Sequence, residues 1–166
     1  MRFAPAAAAL ALCLAISASV TTAGGRAAPD PRAAALLAEG RAALAAGDAE
    51  AATDAFEAAL ALDPGFTPIF IDLAEAARQQ GLQGKAIRYY REALAREPGN
   101  LAAISGEGAA LAEKGAVEKA KRNLATLQSL CGADCPEARA LQSSIARGGA
   151  PRLAAESSAE PASAAN

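Results

Sequence analysis

The chain has 166 residues, enough for one domain, and 52% of them are hydrophobic while only 4% are aromatic, so any core must be built from small side chains. Alanine alone fills 51 positions; the strongest helix former dominates and strand formers are scarce, which predicts an all-α fold with closely approaching helices. The charges, 16 Lys and Arg against 18 Asp and Glu with a formal net of -2 and no His, exclude a basic field for nucleic acid or anionic lipid and remove the usual general base and imidazole metal ligand.

Residues 1–27 read as an export signal. Arg2 precedes an uncharged apolar run through Leu10, Leu12, Leu14, Ile16 and Val20, and small residues follow around Ala23 and Ala27. The strongly apolar part is about 15 residues long and mostly alanine, short of the ~20 that a transmembrane helix needs. Cleavage at about residues 23–28 and a periplasmic or secreted location are therefore expected, without membrane insertion afterwards. An uncleaved N-terminal anchor facing the periplasm is the alternative. A lipoprotein signal at Cys13 is discounted, because Leu12 stands where such signals carry a small residue.

Beyond the signal the chain repeats itself at an offset of 34: Gly47 with Gly81, Ala52 with Ala86, Phe56 with Tyr90, Ala59 with Ala93, Leu60 with Leu94 and Pro64 with Pro98. One further step reaches Gly115, Ala120, Leu124 and Leu127, with Gly132 in place of the proline. Each match has a mechanical reason. The Gly residues suit a tight turn at positive φ, Ala52, Ala86 and Ala120 let helices cross closely while the large residue four positions later fills the space beyond, and the prolines stop a helix.

Seven helices follow, at about 32–46, 49–62, 67–80, 83–96, 101–114, 117–130 and 136–147. They group into repeats at about 33–66, 67–100 and 101–132, with a final helix at 136–147 that caps the stack through Ala138, Leu141 and Ile145. The stretch 148–166, rich in Gly, Ala, Ser and Pro without an apolar period, is expected to be a disordered tail of the 32–147 domain.

The repeat resembles the tetratricopeptide repeat (TPR) family. Its pattern places fall on Leu36, Glu39, Gly40, Ala43, Ala52, Phe56, Ala59 and Pro64, then on Phe70, Leu73, Ala74, Ala77, Ala86, Tyr90, Ala93 and Pro98, and then on Ile104, Glu107, Gly108, Leu111, Ala120, Leu124 and Leu127. Glu39 and Glu107 depart from the family's leucine, and the third repeat is the most degenerate. The resemblance implies a right-handed α-solenoid of three helical hairpins plus the cap, with a concave face lined by the first helix of each repeat. On that face lie Leu37, Arg41 and Leu44, then Ile71, Glu75 and Arg78, then Ser105, Ala109 and Ala112. The carboxylate clamp of the family's chaperone-binding branch is not expected, since beside Arg41 the residues Ile71 and Ser105 stand in place of its other cationic or amide groups.

Cys131 and Cys135 sit at the joint before the cap. An exported protein favours a disulfide there, closing the turn where the proline stop is missing. A redox-active pair is the weaker reading, because the spacing is not Cys-x-x-Cys and no His or Lys adjoins it; metal binding is weaker still, with half a zinc shell unfilled. The basic residues Lys85, Arg88, Arg91, Lys114, Lys119, Lys121 and Arg122 alternate with acidic neighbours and read as solvated helix faces. Gly106-Glu107-Gly108 lacks the residues of a phosphate loop.

The expected function is thus non-enzymatic, with no cofactor. A periplasmic adaptor or scaffold would dock a protein or peptide on the concave face for envelope assembly, with self-association as a further option. A structural accessory subunit is the alternative, and a thiol-disulfide oxidoreductase the weakest.

Overall fold

The computed structural model describes residues 28–148; the expected signal at 1–27 and the tail beyond Gly148 lie outside the described residues. Among the described residues seven helices form: α1 Pro31–Ala45, α2 Ala49–Leu62, α3 Pro68–Gln79, α4 Gln83–Arg96, α5 Leu101–Glu113, α6 Val117–Cys131 and α7 Pro136–Gly148. Every bound falls within one residue of its expected place. Local chemistry explains this agreement. Asp30 caps α1 by accepting from the Arg32 amide at 2.8 Å, with Pro31 in the first turn, where its missing donor costs nothing. Asp48 and Asn100 cap α2 and α5 in the same way, each accepting a backbone amide at 3.0 Å.

Within each hairpin the turn is one repeated motif. Gly47, Gly81 and Gly115 take φ of 85°, 74° and 84°, and the next residue's amide reaches back over the helix end, Asp48 to Ala43, Leu82 to Ala77 and Ala116 to Leu111, at 2.8–2.9 Å. This closure satisfies carbonyls that the helix end would leave bare.

The core runs along the stack as three linked clusters. Leu37, Phe56, Ile69 and Leu73 join α1, α2 and α3; Phe70, Ile87, Tyr90 and Leu111 join α3, α4 and α5; Ile104, Leu127, Ala138 and Leu141 join α5, α6 and α7. Leu60 and Tyr89 touch the first two clusters, while Leu94 and Ile145 touch the last two. Close approach replaces bulk at three points. A Cβ at Gly40 would overlap the Phe56 ring, one at Gly106 would overlap Tyr90, and one at Gly108 would come within 2.6 Å of Leu141.

Glu107, which departs from the family's leucine, is 8% exposed. It is accommodated because Arg91 Nε donates to it at 2.8 Å and Asn123 Nδ2 at 3.0 Å, as a buried carboxylate requires. Leu124, expected to fill the third repeat as Phe56 and Tyr90 fill the first two, is only partly buried; Leu127 is the fully buried residue there.

Candidate binding groove

Ile71, Glu75 and Arg78 recur at helical spacing along one face of α3, and this face looks across a furrow at Ala102, Ser105 and Gly106 of α5. The far wall comes from α7, through Pro136, Glu137 and Ala140. The cavity measures about 430 Å³. A smaller hollow of about 180 Å³, lined by Arg41, Pro68 and Asn100, shares Ile71, Asp72 and Ala102 with it, so the two make one furrow from α1 to α7. A separate hollow of about 500 Å³ lies over Glu97–Ala102, where a single turn of chain lines it and no second helix faces a ligand.

The furrow's guanidinium groups are held by its carboxylates and by Glu113 beside it. Arg41 grips both oxygens of Asp72, with Nη2 at 2.7 Å and Nε at 3.1 Å from Oδ2. Arg78 donates to Glu113 through Nε at 3.2 Å and Nη2 at 2.9 Å, and to Glu75 through Nη1 at 2.7 Å. The Tyr90 hydroxyl donates to Glu75 at 3.0 Å from beneath. Ser105 Oγ donates to the Glu137 carbonyl at 3.0 Å, fastening α7 to α5.

These settings move pKa values. Burial raises that of Asp72, against the pull of the Arg41 hydrogen bond and charge. Burial lowers that of Arg78, but the Glu113 hydrogen bonds and the charges of Glu75 and Glu113 outweigh it and the net shift is upward. Burial first, then the charge of Glu75, raises that of Tyr90, which stays a neutral donor.

Of the residues expected on the concave face, Ile71, Glu75, Arg78 and Ser105 line the main cavity and Arg41 lines its extension. Leu37 does not: at 3% exposure it belongs to the core, because Ala33, Leu37 and Gly40 form the stripe by which α1 packs on its neighbours. Leu44 is partly buried against the same cluster. Ala109 and Ala112 are buried at 6% and 0%, since α5 is central and α7 closes over it, with Gly148 against Ala112.

Asp72 and Glu137, and the part that Tyr90 and α7 play in the furrow, escaped the sequence reading. A signal for one part was present. Arg41–Asp72 and Arg78–Glu113 are separated by 31 and 35 residues, close to one repeat, and are opposite in charge.

At the α6–α7 joint the Cys131 and Cys135 sulfurs stand at bonding distance, with Cα atoms 5.8 Å apart, inside the span of about 4.4–6.8 Å that a disulfide accepts. A Glu137 carboxylate oxygen lies within 4.8 Å of both sulfurs. Three donors fall short of a closed tetrahedral zinc shell. No helix among the described residues is long and apolar enough to cross a membrane.

The tetratricopeptide repeat model matches residues 33–66 and 67–100, one 34-residue period each. The domain is a TPR solenoid. Its third hairpin, α5 and α6, keeps the TPR turn geometry.

Solved TPR domains are similar in fold. The Sgt2 TPR domain from Aspergillus fumigatus is 24% identical with a TM-score of 0.63, over 86% of this chain and 94% of that one. The first TPR domain of human RPAP3 is 21% identical with a TM-score of 0.64, over 78% and 98%. The Yersinia enterocolitica type III secretion chaperone SycD, solved with a peptide of the translocator YopD, is 20% identical with a TM-score of 0.61, over 72% and 93%. No curated protein matches the chain in sequence.

Proposed function

We propose that this TPR protein is a binding adaptor that takes a segment of a partner protein into the furrow between α3, α5 and α7. The observation that carries this reading is the furrow itself, a concave strip with small apolar residues between charged rims, in which ion pairs join α3 to α5 and the Ser105 hydrogen bond fastens α7. The fold neighbours support it, since SycD was solved with a translocator peptide and an RPAP3 TPR domain with an HSP90 peptide.

The adaptor works in the periplasm, a placement supported by the apolar run of residues 1–27 and by the Cys pair, which as a disulfide suits an oxidising compartment. That disulfide serves as a staple at the α6–α7 joint, since no basic residue adjoins the pair to depress a thiol pKa.

A photo-crosslinking residue placed at Ala140, in the furrow, should yield one adduct of defined mass in the intact envelope, and Ala102→Trp should abolish it by filling the furrow. The same crosslinker at Arg88, exposed on α4, should yield none. Adducts from Arg88 alone would sink the furrow reading in favour of an accessory subunit held by its outer helices.

A further inference from the structure

The furrow's chemistry defines its partner more narrowly. Resting on the reading that the furrow is the binding site, we propose that it receives a cationic segment, a Lys or Arg side chain flanked by small apolar residues, and not the carboxylate end of a chain. The guanidinium groups are committed. Arg41 places Nε and Nη2 on Asp72, and all three Arg78 nitrogens are engaged by Glu113 and Glu75. At Arg78 a carboxylate ligand would have to break pairs that lie partly out of water and are stronger for it, and Arg41 could offer it only Nη1.

The acceptors, by contrast, have capacity left. Glu75 uses Oε2 for both Arg78 and Tyr90, and its Oε1 meets no donor among the described residues. The Glu137 carboxylate likewise meets none among the described residues, the Ser105 hydroxyl binding the Glu137 backbone carbonyl. Three carboxylates line the furrow, those of Asp72, Glu75 and Glu137, against two guanidiniums, so its lining carries -1, and Glu113 offsets Arg78 from beside it, in a concave setting that focuses the field. Its floor suits the same ligand: Ile71, Ala102 and Ala140 offer apolar contact to the methylenes of a long basic side chain.

The test uses the full chain, labelled with nitrogen-15, and four short end-capped or free peptides of Ala and Leu. One carries two Lys, one two Gln, one two Glu, and one ends in a free carboxylate. The Lys peptide should shift the amides of Ile71, Glu75, Ser105 and Ala140, and its affinity should fall severalfold as salt rises from low to high. Glu137→Gln alone, and Glu75→Gln with Glu137→Gln, should each weaken it, by up to about fivefold per carboxylate removed, with unchanged circular dichroism.

Equal or tighter binding of the Glu or free-carboxylate peptide at the same amides would overturn the charge proposal and leave the furrow reading standing. So would salt-independent binding of the Lys peptide. If no peptide moves the furrow amides, both fall.

Discussion

Tyr90 shows how much one side chain can carry. It is 2% exposed, its ring lies where only a glycine backbone at position 106 leaves room, and its hydroxyl holds Glu75 in the furrow. Because burial raises its pKa above the ordinary 10.0, the folded state keeps a proton that the unfolded chain releases near pH 10. The stability from this group is therefore complete below pH 10 and is lost as pH rises through the folded value. Tyr90→Phe should cost about 1 kcal/mol at pH 7 through the lost hydrogen bond, and should flatten the fall in melting temperature above pH 10. Thermal melts of both proteins from pH 7 to 11 check this; parallel alkaline slopes would refute it.

Helices and their joints carry a second lesson. The three hairpin turns share one motif because Gly at positive φ recurs every 34 residues, but the α6–α7 joint is built differently. Helix α6 ends at Gly132, φ 89°, without a proline, and the Cys pair spans the gap to Pro136. If the pair is the staple proposed above, constraining so short a loop should stabilise by about 2 kcal/mol. Replacing both cysteines with Ser should then lower the denaturation free energy by that order, and a phosphine reductant should reproduce the loss in the unmodified protein but not in the double variant. Free thiols in unreduced protein would remove the staple from the account.

At the scale of the whole molecule, the solenoid has no shared centre, only clusters passed from hairpin to hairpin. Stability is then a sum of neighbour terms. Leu141, fully buried on Gly108, holds the last of these, and Leu141→Ala should cost about 3 kcal/mol. Hydrogen exchange should show the loss in α5, α6 and α7 while α1 and α2 keep their protection; uniform loss would show a single cooperative unit instead. The same helix forms the furrow's far wall, so a terminal cap doubles as part of the site.

The helices, their turns and their period were legible in the sequence, because caps, positive-φ glycines, proline stops and apolar spacing act within a few residues of chain. It also brought Arg41, Ile71, Glu75, Arg78 and Ser105 into view, through a pattern that marks one helix per repeat. It took the packed helices to turn Leu37 inward and Arg41 toward the furrow, to make α7 a wall, and to occupy both guanidiniums with carboxylates about one repeat away. Those outcomes depend on how helices some 30 residues apart meet in space, and a local pattern carries no term for that meeting.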